Sequence, residues 1–150
     1  MKFLVFSDQH EDSAALAELL KRAKQKDIDF IICAGDFTEF GRGMRNVFKR
    51  FNSLKKRLYI IPGNHEERES FEEIVKDYEY ITSFDRKVFK KGEYVFLGYG
   101  GDGFSVKDPE FRKVSREWYG KYNGQKIVLV THGPPAGTKL DILGDRHVGN

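Results

Sequence analysis

Four short apolar runs, Lys2 to Phe6, Phe30 to Ala34, Leu58 to Ile61 and Ile127 to Val130, each stop abruptly at polar residues. Runs this short, continuous rather than alternating, are the signature of strands buried on both faces. Helical patterns separate the first three. Leu16, Leu19, Leu20 and Ala23 keep i, i+3, i+4, i+7 spacing, with Asp12 or Ser13 as N-cap and Lys24 and Lys26 suited to the C-terminal end of the dipole. Met44, Val47, Phe48, Phe51 and Leu54 repeat that spacing before the third run, which Pro62-Gly63 terminates. The order β-α-β-α-β requires a parallel sheet with right-handed crossovers, so the chain is of the α/β class.

The rhythm then changes. A helix over Phe71 to Tyr78 is followed by a β-hairpin, Lys87 to Phe89 and Tyr94 to Tyr99 about a Lys90-Lys91-Gly92 turn. The glycine-rich stretch Gly98 to Gly103 leads to an amphipathic helix around Pro109 to Tyr119, with Pro109 suited to its first turn. At 150 residues, without repeats or linkers, the chain is expected to form one domain over 1–150. Lys and Arg total 26 against 23 Asp and Glu, and a net charge of +3 does not demand nucleic acid, which is allowed but not indicated. The acid-free basic stretch from Arg42 to Arg57 precedes the acidic run Glu66 to Glu79, and the two read as complementary solvated faces. Cys33, the sole cysteine, sits within an apolar run and reads as a small buried hydrophobe. No run approaches the roughly 20 residues of a membrane span. Met1-Lys2-Phe3 enters the first strand without a signal-peptide core, so a cytoplasmic protein with no membrane partner is expected.

What closes the apolar runs is more specific: Ser7-Asp8-Gln9-His10, Gly35-Asp36, Gly63-Asn64-His65-Glu66 and Thr131-His132-Gly133. Open α/β sheets form their sites outside the carboxyl ends of strands, where all four clusters stand. Singly, Asp8 reads as a helix cap, Asp36 as a turn former, Pro62-Gly63-Asn64 as a tight turn and His132 as a satisfied histidine. Jointly, with three of the four histidines among them, they describe a metal site. Asp8 and His10 converge on one ion if the backbone bends between them. Asp36 can give one oxygen to each of two ions, Asn64 offers an amide oxygen and His132 an imidazole. Mixed nitrogen and oxygen donors suit manganese, taken first here, or iron, nickel, cobalt or zinc, better than calcium.

In order and position, these clusters resemble the calcineurin-like metallophosphoesterases, whose pattern runs D-x-H, G-D, G-N-H-[D/E], a strand-ending H and then G-H-x-H. The Gly-Pro-Pro after His132 and the stretch Lys139 to Asn150 are similar to a small archaeal and bacterial branch related to metallophosphoesterase-domain proteins. The resemblance implies a four-layer α/β/β/α sandwich of the metallo-dependent phosphatase type, with two mixed sheets between helices. It implies two divalent transition-metal ions, one held by Asp8, His10 and Asp36 and the other by Asp36, Asn64 and His132. The final G-H-x-H is not matched. The expectation is a domain truncated at its C-terminal end, lacking the last helix and strands, with His147 in a loop over the substrate. Apolar surface left uncovered there would favour self-association, for instance as a homodimer. Glu39 stands where many relatives carry a second aspartate, and either orients His65 or is solvated.

Two cations about 4 Å apart, sharing Asp36 and a water, lower the pKa of that water and neutralise phosphoryl oxygens, so hydroxide attacks phosphorus in line with the leaving oxygen. His65, beside Asn64, faces the substrate, and by the resemblance it stabilises developing charge or protonates the leaving group. The expected activity is hydrolysis of phosphodiesters or phosphomonoesters, nucleotides among them. The alternative is a catalytically silent metal, phosphate or nucleotide binder. Gly98 to Gly103 is not read as a dinucleotide loop, because the strand before it belongs to a hairpin, and Ser7 lacks a nucleophile elbow.

Overall fold

The protein is described by a computed structural model covering residues 1–101 and 107–149, so part of the Gly98 to Gly103 stretch and the terminal Asn150 lie outside the described residues. β1 (Phe3–Phe6), β2 (Phe30–Cys33), β3 (Leu58–Ile60) and β4 (Ile81–Ser83) form one sheet in sequential order, every pair parallel. The resemblance implied a mixed sheet here. It is parallel among the described residues because helices α1 (Ser13–Ala23), α2 (Met44–Asn52) and α3 (Arg68–Val75) make each connection. Asp12, rather than Ser13, caps α1, its carboxylate accepting from the amides of Ala14 (2.8 Å) and Ala15 (3.0 Å).

Two elements differ from expectation. α3 starts and ends three residues earlier than Phe71 to Tyr78, because the Glu67 carboxylate caps the amides of Glu69 and Ser70 and so starts the helix at Arg68. β4 is a further strand, three residues long, in which Ile81 alone carries the apolar signal.

The second sheet contains β5 (Lys87–Lys91), β6 (Tyr94–Tyr99) and β7 (Lys126–Thr131), with β5 and β6 forming the expected antiparallel hairpin. Its turn passes through Gly92 at φ +58°, a conformation that favours glycine. β6 and β7 are parallel across α4 (Pro109–Tyr122), which Asp108 caps and Pro109 opens.

Pleating divides the core into layers. Ile31 and Cys33 of β2 pack with Leu16, Leu20, Val47, Phe48, Phe51, Phe71 and Val75 of the three helices. Their neighbours Phe30 and Ile32 face Phe84, and Phe96 and Val130 of the second sheet. On that sheet's far side Val95 and Leu97 meet Trp118 and Tyr122 of α4. Helices, sheet, sheet and helix therefore follow one another, as the sandwich requires, and each fully buried phenylalanine or isoleucine contributes about 1.5–3 kcal/mol. Cys33 is buried and unpaired, and burial pushes its thiol well above the ordinary range.

After β7 the chain makes a turn of 3-10 helix (Lys139–Asp141) and a short hairpin, β8 (Ile142–Leu143) and β9 (Arg146–His147), where a loop was expected. Asp141 organises it, accepting from the amides of Gly149 (2.6 Å), Gly137 (2.6 Å) and Val148 (2.8 Å) and pairing with His147 Nδ1 at 2.9 Å. These bonds, the Gly149 amide foremost, hold its carboxyl at about 2. The basic and acidic stretches meet where Arg45 pairs with Asp77 at 2.6 Å. Among the described residues no helix is long and apolar enough to cross a membrane.

Candidate metal centre

The backbone does bend where the chemistry needs it. Beyond β1, Asp8 and His10 have φ of +53° and +45°, and beyond β2, Gly35 and Asp36 have +99° and +51°. With Glu11 at φ +57°, four non-glycine residues in left-handed conformation at one edge mark stored strain of the kind found at functional sites. Cross-strand bonds hold these turns together, from Asp8 N–H to the Gly35 carbonyl (3.1 Å) and from His10 N–H to the Asp36 carbonyl (3.2 Å). Two glycines permit the remaining approach. A Cβ on Gly35 would lie 2.7 Å from the Gly63 Cα and 2.7 Å from His132 Nδ1, and one on Gly63 only 2.0 Å from Asp36 Oδ1.

Asp36, 4% exposed, stands at the centre. Its Oδ1 accepts from the His65 amide at 3.0 Å, and its Oδ2 lies 3.5 Å from His132 Nε2, 3.8 Å from His10 Nε2 and 3.9 Å from His65 Nε2. His10 Nε2 is also 3.8 Å from Asp8 Oδ1. Donor atoms of His10, Asp36 and His65 gather within 4.8 Å of one another, and so do those of Asp8, Asp36 and His132. Asp8 thus has His10 as well as His132 within reach, Asn64 Oδ1 lies 3.0 Å from His132 Nε2, and His65 joins the His10 side. Asp36 is common to both groups.

These spacings fit bound ions better than direct pairing. Gaps of 3.5–3.9 Å exceed a hydrogen bond. They fall within the roughly 4.2 Å that two ligands can span at about 2.1 Å each from one ion. His132 adds a further contact. Its Nδ1 lies 2.9 Å from the Ala34 carbonyl, which can only accept, so Nδ1 carries a proton and the Nε2 lone pair points at Asn64 Oδ1, 3.0 Å away. A cation, a second ring proton or the other orientation of the Asn64 amide each satisfies that contact. Desolvation by burial lowers the affinity of His132 for a proton, yet the neighbouring Asp36 carboxylate raises it above the ordinary imidazole range. Burial likewise opposes ionisation of Asp36, but His132 and the His65 amide hold its carboxyl below the usual value.

Three neighbours refine the picture. Glu39 lies 3.1 Å from His10 Nδ1 and 3.6 Å from His65 Nδ1, without hydrogen-bond geometry to either, so its charge faces both rings rather than solvent alone. The His65 ring meets His10 edge-on at 4.7 Å and stacks on Phe40 at 4.4 Å. His147 is held by Asp141, and the cavity of about 380 Å³ over Asp36 is bordered from its segment by Leu140, Ile142, Leu143 and Val148 instead. A second cleft, about 730 Å³, opens from Asn64 and His65 past Phe40 and Arg68.

Glu66 is the residue whose part sequence reasoning did not supply. Its buried carboxylate accepts from the amides of Asp36 (2.9 Å), Gly63 (2.8 Å) and Thr38 (3.0 Å) and from the Thr38 hydroxyl (2.7 Å), tying the ends of β2 and β3 into one unit. An acid directly after two site residues, Asn64 and His65, is the only signal the sequence offered.

Comparison with known proteins bears on this geometry. The family model described as calcineurin-like phosphoesterase matches residues 1–149. Among solved structures, TT1561 of Thermus thermophilus is similar at 15% identity and a TM-score of 0.76, over 97% of this chain and 72% of that one. A second crystal structure is similar at 15% identity and a TM-score of 0.70, over 99% of this chain and 76% of that one. At these identities the likeness concerns the fold. No match is found among curated proteins.

Proposed function

Since the chain belongs to the calcineurin-like phosphoesterase family, we propose that it is a metal-dependent hydrolase of phosphodiesters or phosphomonoesters, built around Asp36 as a ligand shared by two divalent cations. The observation that carries this reading is the single buried oxygen, Asp36 Oδ2, lying within 3.9 Å of imidazole nitrogens from three different strand ends. Asp8, His10, Asn64 and His132 complete the donor set, whose mixture of nitrogen and oxygen suits manganese first and iron, nickel, cobalt or zinc next. When bound, such ions acidify a water and neutralise the phosphoryl oxygens that gather charge in the transition state.

The remaining work falls to this chain's own groups. His65 directs Nε2 into the space shared with Asp36, and as an imidazole it can give a proton to the leaving oxygen. Glu39 Oε2 lies 3.6 Å from the far nitrogen of the same ring. Glu66 holds the Asp36 and Gly63 amides, so the shared carboxylate and the Asn64 turn keep a fixed separation. The leaving group has room in the cleft that opens from Asn64 and His65. His147, held through Nδ1 by Asp141, is outside the lining of the cavity over Asp36. The chain acts on this reading as one catalytic domain over 1–150, in the cytoplasm.

Purified protein supplied with manganese is expected to hydrolyse a generic aryl phosphodiester and to lose that activity in chelator. Asp36→Asn is expected to be the most damaging ligand substitution, because it touches both ions. Full activity in that variant would overturn the shared-ligand assignment.

A further inference from the structure

Phe40 follows Asp36 in the segment between β2 and α2 and is 75% exposed, in a chain whose Phe37, Phe48 and Phe51 are fully buried. Its backbone lies at φ +51°, where a bulky residue is an outlier. The strained turn places the ring flat against His65, with centroids 4.4 Å apart and planes 20° from parallel. One face of Phe40 therefore covers the imidazole, and the ring also lines the cleft that begins at Asn64 and His65. Merely covering His65 would ask for any apolar side chain, and a flexible one would reach it from an unstrained backbone. A rigid ring held there with high exposure offers something further, a planar surface beside the reacting centre.

Resting on the phosphoesterase reading above, we propose that Phe40 is a specificity-determining residue that stacks a planar aromatic group carried by the substrate's leaving group, a nucleobase joined to the ester oxygen through its sugar. Spacing argues for the sugar. A ring stacked on the outer face of Phe40 stands about 3.5 Å beyond it, hence about 8 Å from the His65 ring. That is too far for an aromatic ring bonded directly to the oxygen that His65 protonates. It matches a base separated from that oxygen by a ribose. The cleft, at about 730 Å³, is within the size range of pockets that hold ligands of this class. A simple aryl ester, by contrast, is expected to ignore Phe40.

Calorimetric titration of the manganese-loaded protein tests this without turnover. The two probes are the 5′-methylenephosphonate analogues of adenosine monophosphate and of ribose 5-phosphate, whose P–C bond is not hydrolysed. The wild type is expected to bind the adenosine analogue at least about tenfold more tightly than the ribose analogue, in the range of a single base stack. Phe40→Ala and Phe40→Leu should bring that ratio close to one with metal content unchanged, while Phe40→Trp preserves it. Equal affinities in the wild type, or a ratio that survives Phe40→Ala, would overturn the proposal. So would a parallel loss of both analogues and metal in Phe40→Ala with Phe40→Leu normal, which would make Phe40 only a cover for His65. Failure of the phosphoesterase reading itself would show separately, as absent manganese-dependent hydrolysis of the aryl phosphodiester by the same preparation.

Discussion

Replacing Glu66 by glutamine should lower stability by about 2–4 kcal/mol and weaken metal binding without removing a single donor atom. One carboxylate oxygen accepts from the amides of Asp36 and Gly63, and the other from the amide and hydroxyl of Thr38. Glutamine has only one acceptor oxygen. Placed against Asp36 and Gly63, it turns its amide nitrogen toward Thr38, whose hydroxyl can rotate and accept but whose backbone N–H loses its partner. The opposite orientation strands two amides, so the first is preferred. One orphaned buried N–H costs about 1–3 kcal/mol, and the other bonds lose the strength that a charged acceptor gave them. Glu66→Ala strands three amides and should cost about 3–5 kcal/mol. Urea unfolding of the three proteins measures these differences, and a manganese titration should show affinity falling on the order of 10-fold to 100-fold in Glu66→Gln. Stability within about 0.5 kcal/mol of wild type, with unchanged manganese affinity, would refute the argument that this carboxylate fixes the separation of the β2 and β3 ends.

Two further outcomes follow from individual groups. His65→Ala should reduce kcat by on the order of 10² to 10⁴ for an ester with a poor leaving group, and far less for an activated one, with metal content unchanged; loss of metal would make His65 a ligand or structural residue instead. Burial, foremost, pushes the Asp85 carboxyl from 3.8 up to about 6, so it is neutral only on the acid side of that value. Its folded value lies above its unfolded one, so the fold binds the extra proton, and stability from this group is lost as pH rises from about 4 through about 6. The interval between 3.8 and about 6 sets that loss at on the order of 3 kcal/mol at most. Unfolding free energies of Asp85→Asn and wild type, compared from pH 4 to 7, should therefore diverge in favour of the variant as pH rises; a constant difference would contradict the assignment.

The layout of the site was legible because each element of the first half announces itself twice, by an apolar run and by the residues that stop it. Asp8, Asp36, Asn64 and His132 stand at strand ends whatever the exact bounds of the strands. The partition of donors was not legible, since chain spacing does not say whether Asp8 leans toward His10 or His132, and the left-handed turns bring it within reach of both. Glu66 was quoted as part of a motif but given no work, because nothing in a sequence distinguishes a solvated glutamate from one that accepts four bonds, from residues 28 to 30 positions away in the chain and from Gly63. Phe40 reads as one phenylalanine among 13 until its exposure and backbone are known. α3 was displaced because the apolar spacing from Phe71 outweighed a cap that uses glutamate, an uncommon N-cap. The hairpin β8–β9, with strands of two residues, lies below what periodicity can register.

The claim on which the rest depends is that Asp36 serves two ions at once. Dialysis of wild type and Asp36→Asn against buffered manganese, followed by elemental analysis of bound metal per chain, tests it without reference to any substrate. Two ions per wild-type chain at saturation, with both sites weakened together in Asp36→Asn, is the expected result. Saturation at one ion, or a variant that keeps one site at full affinity while losing the other, would contradict a shared ligand.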